Sequence, residues 1–214
     1  CPTGNLETFG VADDATARVT GYETDGATSR ISVDVIGQRA DVEIDAVGKH
    51  WALNVAAALL AASQTGLSVA DCAEALSGYA PPPGRGTAER MALPEGGHFT
   101  LVDDAYNANP SSMRAALSAL SQRKGGRRLV ALGEMLELGE ESEALPPGLQ
   151  QVWAPKADEL WNALLNAVRD GDVLLIKGSN ASGMGRIADR LRQRSAAAGL
   201  GKMDSSATDA AEVR

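Results

Sequence analysis

Basic charge, cysteine, aromatic residues and long apolar runs are all scarce in this sequence, and each scarcity removes a class of protein. Acidic residues outnumber lysine and arginine by 28 to 20, for a net charge of −8. That is the wrong sign for a general nucleic-acid binder, which needs basic clusters to displace counterions from phosphates. Helix-end N–H groups bind small anions without net basicity, so phosphorylated small molecules stay open. Cys1 and Cys72 are too few to frame a disulfide-stapled domain and fit a reducing, cytoplasmic setting. No stretch approaches the roughly 18 consecutive apolar residues of a membrane-spanning helix, and no charged-then-apolar leader is present, so no membrane insertion is expected. The chain opens on Cys rather than Met, which leads us to expect a piece of a longer protein. Chemical signatures are missing too. There is no G-x-x-x-x-G-K-[ST] phosphate loop, no metal-binding Cys/His spacing and no nucleophile elbow, and no residue is assigned to a metal.

What is present is a 214-residue chain, 44% hydrophobic, with 23 glycines, the make-up of an ordinary globular protein of one or two domains. Residues 15–44 alternate polar and apolar, with Gly-containing breaks at 25–27 and 37–38, and predict a meander of short antiparallel strands. Then the period changes. "GKHWALNVAAALLAASQTG" predicts a helix that buries Trp51, Leu53, Val55, Leu59 and Leu60 and is closed by Gly66; a second helix follows with Ser68 as its N-cap. "APPPGRGTAER" is read as a rigid linker without regular structure, and a domain boundary is placed at 82/83. Strands at 98–106, 127–133 and 172–178 then alternate with helices at 110–123, 157–171 and 183–199, which implies an α/β domain with a mostly parallel sheet covered on both faces. The polar tail, 199–214, is expected to fray.

Ligands of such sheets gather at the carboxyl ends of the strands, here the loops 103–110, 134–142 and 178–184. In "DDAYNANP", two adjacent carboxylates repel unless one is solvated, hydrogen-bonded or paired with a cation. Asp104 and Asn107 leave the strand end together, and a carboxylate linked to a ribose or a cation is the sharper reading. Asn109 before Pro110 has the plainer reading of a helix N-cap. His50 and Asn54, four apart, share one face of a helix's first turn and suit a base edge or a phosphate, or are simply satisfied locally. Arg85 on the stiff linker has a forked guanidinium suited to phosphate, or is a solvated surface charge. Gly183, Gly185 and Ala188 fit G-x-G-x-x-A, but they lie well beyond the strand end and no further strand completes a dinucleotide unit. Lys177 and the N–H groups after it read as an anion site. Glu134, Glu137, Glu140, Glu141 and Glu143 read as a solvated acidic loop, with a metal or amine site left open.

In order, "GKHWALNVAAALLAA", "PPPGRG", "DDAYNANPSSMRAAL", "LVALGEMLELGEES" and "DVLLIKGS" resemble the Mur ligase family over about residues 20–197. "DDAYNANPSSM" and "LGEMLELG" are the specific segments, and they point to its D-alanyl-D-alanine-adding branch. The resemblance implies that residues 1–82 are the β-meander and helical end of a central ATPase domain and that 83–214 are a C-terminal Rossmann-like domain. The phosphate loop and the ligands of Mg²⁺ would lie upstream. The implied activity is an ATP-dependent ligase that joins D-Ala-D-Ala to UDP-N-acetylmuramoyl-tripeptide through an acyl phosphate, in peptidoglycan precursor synthesis. ATP and Mg²⁺ are the implied cofactors, and a cytoplasmic monomer the implied state. Carried over residue by residue, Arg85, which reaches the γ-phosphate, and His50 are the catalytic candidates; Asn54, in the same motif as His50, contacts adenine; Asp104 takes the ribose; Asn107 and Asn109 line the adenine or dipeptide side. The fragment alone is expected to be inactive. A further helix and strand, on the order of 25 residues, are also implied after Glu143, and the chain lacks them. Two other readings are kept: a sister ligase resembling folylpolyglutamate synthase, and a non-catalytic nucleotide-binding module.

Overall fold

In the computed structural model, which describes residues 6–135 and 156–209, the alternating stretch folds as the sequence predicts. A two-residue strand, β1 (Phe9–Gly10), too short to show a period, runs parallel to β2 (Ala17–Thr24). β2 continues through β3 (Ser29–Val35) and β4 (Gln38–Ile44) as an antiparallel meander. Alternation sends Ile31, Val33 and Val35 of β3 and Val42 and Ile44 of β4 into one core, each burial contributing roughly 1.5–3 kcal/mol. Between β3 and β4, Val35 pairs with Gln38 across Ile36-Gly37, whose φ angles are 52° and 76°. Two positive φ values in a two-residue loop make a type I′ turn, a backbone that a β-branched residue adopts only under strain.

Helix α1 (Lys49–Ser63) covers that core through Ala52, Val55, Ala56 and Leu59, the i, i+3, i+4, i+7 positions of one face. Leu53 was expected inside and is 38% exposed, because it lies off that face. Trp51 also falls short of burial and packs against the cluster's edge, its ring 5.7 Å from Tyr79. Ser68 caps α2 (Val69–Leu76) as expected, its hydroxyl accepting from the Asp71 N–H at 3.4 Å.

The chain divides into two compact units, Cys1–Pro81 with Ala115–Lys124 and Pro82–Arg114 with Gly125–Arg214. In the second, the expected linker ends early. Thr87–Ala92 form β5, antiparallel to β6 (His98–Asp104), so "TAER" is strand rather than loop. Its alternation is hard to see beside three prolines, but the strand joins β6 along its whole length. Helix α3 (Pro110–Gln122) starts in this unit, and its second half groups with the first. Then come β7 (Arg128–Leu132), α4 (Trp161–Ala167), β8 (Val173–Lys177) and α5 (Met184–Asp209). The sheet order is β5-β6-β8-β7, with β6, β8 and β7 mutually parallel.

This is the Rossmann-like, mostly parallel arrangement the sequence implied. β8 is central, and all five of its residues are buried, as an uninterrupted apolar run requires. On one face, Leu101, Leu174, Ile176 and Ala131 pack against Leu164 of α4 and Met184, Ile187, Ala188 and Leu191 of α5. On the other, Val130 of the edge strand β7 stays 41% exposed. Two helices differ from expectation. α4 stops at Ala167 because Val168 turns extended, and its first turn is a 3₁₀ turn at Ala157–Leu160. α5 runs on through the tail to Asp209 rather than ending near 199, carried forward by an alanine run of high helix propensity. Among the described residues no helix is long and apolar enough to cross a membrane.

Candidate functional site

Successive strand residues face opposite sides of a sheet, and at the end of β6 this separates the two aspartates. Asp103 points to the face that α5 covers. It is 3% exposed, and its Oδ2 accepts from Arg192 Nη2 at 2.7 Å while Oδ1 accepts from the Ala105 N–H at 3.2 Å. The Arg192 Nε also donates to both Glu89 carboxylate oxygens, at 3.0 and 3.1 Å, and Nη1 donates to Asp189 at 2.9 Å. One guanidinium thereby joins β5, β6 and α5, and these bonds hold its pKa above the ordinary arginine value.

Asp104 points to the opposite face, where its register partner on β8 is Lys177. The lysine ammonium, 1% exposed, donates to Asp104 Oδ2 at 2.8 Å and to the Asn107 carbonyl at 2.9 Å. Burial pushes the Asp104 carboxyl above its ordinary pKa; the Lys177 hydrogen bond and charge pull the other way, as does the more distant Arg85. The two aspartates therefore face different cations, which resolves the repulsion the sequence posed.

The glycine-rich turn before β5 is laced onto this corner. The Gly86 N–H donates to the Asp103 carbonyl at 2.7 Å, and the Tyr106 N–H donates to the Gly84 carbonyl at 3.0 Å. Gly84 has φ 79°, and a Cβ there would meet Tyr106 Cβ at 3.3 Å, so the close approach favours glycine. Between the two glycines, the Arg85 guanidinium lies 4.0 Å above the Tyr106 ring, an exposed cation–π contact.

The structure brings Arg85, Asp104, Asn107 and Asn109 together in the second unit. Asn107 is exposed and contributes its carbonyl to Lys177. Asn109 caps α3: its Oδ1 accepts from the Ser112 N–H at 2.8 Å, and its own N–H donates to the Ser112 hydroxyl at 3.0 Å. His50 and Asn54 belong to the first unit, at the start of α1. The His50 ring lies over Gly48, whose φ is 130°, so closely that a Cβ there would come within 2.6 Å of it. Asn54 is exposed one turn on.

Two readings change. Lys177 is not open to an anion, because its ammonium is held by Asp104 and the Asn107 carbonyl. Gly183, with φ 78°, closes a 3₁₀ turn at Asn180–Ser182, so that glycine serves the turn rather than a dinucleotide fingerprint. Of the acidic stretch, Glu137, Glu140, Glu141 and Glu143 lie outside the described residues, as does the shortfall after Glu143. Among the described residues, no group of three or more His, Cys, Asp or Glu is placed to hold a metal ion. Sequence reasoning missed the pairing of Lys177 and the contact of Tyr106 with Arg85, and passed over Arg192. A lysine closing the apolar run "VLLIK" was a readable signal for the first; Arg192, one arginine of several on α5, offered none.

Residues 89–161 match the model of the Mur ligase glutamate ligase domain. The UDP-N-acetylmuramoyl-tripeptide–D-alanyl-D-alanine ligase of Mycobacterium tuberculosis (strain CDC 1551 / Oshkosh) is 34% identical over 218 residues, covering 77% of this chain and 42% of that protein. A UDP-N-acetylmuramate–L-alanine ligase of Halorhodospira halophila is 29% identical over 223 residues, covering 82% and 44%. Among solved structures, a MurF ligase of Thermotoga maritima in complex with ADP superposes with a TM-score of 0.72 at 20% identity, covering 87% of this chain and 48% of that one. The chain belongs to the Mur ligase family. Within that family it is similar to ligases named for D-alanyl-D-alanine addition, and it spans less than half the length of the relatives it matches.

Proposed function

We propose that the protein carrying this chain is an ATP-dependent amide-forming ligase that joins D-alanyl-D-alanine to UDP-N-acetylmuramoyl-tripeptide in peptidoglycan precursor synthesis in the cytoplasm. Residues 1–82 are assigned to the end of its central ATP-binding domain and 83–214 to its C-terminal domain. One observation carries the nucleotide half of this reading. At the carboxyl end of β6, where parallel sheets bind ligands, Asp104 has one oxygen fixed by Lys177 and the other, Oδ1, without a partner among the described residues. A free carboxylate oxygen is an acceptor matched to a ribose hydroxyl. The identity of the acceptor amine rests on the resemblance to the D-alanyl-D-alanine-adding ligases.

In this reading Arg85 is the catalytic cation. Its fork offers two parallel donors to a phosphate, and its guanidinium is stacked over the Tyr106 ring. His50 at the head of α1 is the second catalytic candidate, Asn54 one turn on serves the base end of the nucleotide, and Asn107 and Asn109 follow Asp104 in the same loop. Among the described residues no group of three or more His, Cys, Asp or Glu is placed to hold Mg²⁺.

The test is phosphate release by the full-length protein with ATP, the muramoyl-tripeptide nucleotide and D-Ala-D-Ala. Release that requires all three is expected, and Asp104→Asn should raise the ATP KM about tenfold, the loss of one charged hydrogen bond. Release driven by UDP-N-acetylmuramate and L-alanine instead would overturn the substrate assignment. The 214-residue chain by itself should show no turnover.

A further inference from the structure

We infer that Lys177 is a positioning residue of this site: its buried ammonium fixes the Asp104 carboxylate and the Asn107 carbonyl together, presetting Asp104 Oδ1 as the ribose acceptor. The inference rests on the nucleotide reading of Asp104 given above.

Packing alone does not call for this lysine. It ends a central strand whose other four residues are Val173, Leu174, Leu175 and Ile176, and it is itself 1% exposed. Burying an ammonium carries a desolvation penalty of several kcal/mol that pairing offsets only when the geometry is good, and an aliphatic side chain of similar volume serves such a strand as well or better. What the lysine does that an aliphatic cannot is bind two acceptors three residues apart on the connection from β6 to α3. Asp104 Oδ2 lies at 2.8 Å and the Asn107 carbonyl at 2.9 Å, so one ammonium closes the corner across Ala105 and Tyr106. The anchor is rigid because β8 is hydrogen-bonded on both sides, to β6 and to β7. The Asp104 side chain keeps 23% exposure, so the corner is fixed from beneath and open above. At 1% exposure Lys177 touches no ligand; it acts through Asp104. Burial tends to neutralise the Asp104 carboxyl, and the hydrogen bond and charge of the lysine oppose that.

Lys177→Met keeps the length of the side chain and removes the charge. In the full-length protein, KM is compared for ATP, 2′-deoxy-ATP and 3′-deoxy-ATP. The wild type should favour ATP over one of the deoxy forms by about tenfold, the equivalent of one hydrogen bond to a charged group. Asp104→Asn and Lys177→Met should each reduce that preference to about twofold or less. A lysine with only a structural role would lower kcat or yield for all three nucleotides alike and leave the preference intact, which overturns the inference. The two levels separate cleanly. If the wild type shows no preference, or Asp104→Asn retains it, the nucleotide reading fails; if Asp104→Asn loses it and Lys177→Met does not, only the positioning role fails. Should Lys177→Met not fold, Lys177→Gln in the 214-residue chain is followed by carbon-13 titration of the Asp104 carboxyl. A midpoint above that of the wild type supports the role, and an unchanged midpoint overturns it.

Discussion

Asp103 sends its carboxylate beneath α5 to a guanidinium shared with Glu89 and Asp189, and both of its oxygens are engaged. Asp104, the next residue, sends its carboxylate to the other face, to an ammonium that binds no other carboxylate among the described residues and whose second bond returns to the same loop. Identical side chains thus do different work. The first cross-links three elements and has nothing left for a ligand. The second is tied at one oxygen and, among the described residues, open at the other. Position in the pleat, rather than residue type, decides which aspartate is structural and which is available for chemistry.

The comparison breaks most severely at its structural half. Arg192→Met should strand Asp103 and Glu89 without their cation. Removing one member of a buried pair is strongly destabilising, and with the arginine 26% exposed the loss should be about 3 kcal/mol in urea unfolding. At the functional half, Asp104→Leu should cost about 2 kcal/mol, less because water reaches part of that corner, by leaving the Lys177 charge buried and unpaired. Adding Lys177→Met should return stability to within about 1 kcal/mol of the wild type, since an apolar pair replaces the ionic one. A double variant no more stable than Asp104→Leu would mean that the pair itself holds the fold. Loss of ATP use in the recovered double variant separates the ligand role from the structural one.

Much of this was legible beforehand, for physical reasons. The period-2 run at 15–44, the helix from "GKHWALN", the cap at Ser68 and the strand–helix alternation after 98 are local signals, and all reappear in the structure. The corner at the end of β6 stood out because paired aspartates at a strand end conflict unless something neutralises them. What neutralises them was not legible: Arg192 and Lys177 lie 89 and 73 residues further along, and only the sheet order brings them back. β5 was hidden because an antiparallel edge strand draws its stability from β6, not from its own sequence. Leu53 was misplaced because an alanine-rich helix blurs which face is apolar, Ala52 and Ala56 marking the buried side as much as Val55 does.

A control for stability effects lies in the other unit, in the turn between β3 and β4. Ile36 holds φ 52° in the β3–β4 turn with its side chain 57% exposed, so it pays the left-handed strain and gains little burial in return. Ile36→Asn should stabilise the chain by about 1 kcal/mol, because asparagine tolerates that backbone and suits the first position of a type I′ turn. Thermal unfolding measures this, and the nucleotide preference should not move. A variant less stable than the wild type would show that Ile36 packs in solution in a way that outweighs its strain.

The smallest expected effect concerns proton linkage at Asp104. Its carboxyl is raised above the ordinary range, chiefly by burial, so the folded state binds this proton more tightly than the unfolded chain does. The favourable contribution is then fully present below the unfolded pKa, near 3.9, and is lost as the pH rises through the higher folded value. Asp104→Asn cannot ionise. The stability of the wild type minus that of Asp104→Asn should therefore fall as the pH climbs through the weakly acidic range and level off above it. Urea midpoints for the two proteins, taken in parallel across that range, isolate the step from every other titrating group. A difference that rises with pH would mean that Lys177 stabilises the ionised carboxylate by more than burial disfavours it.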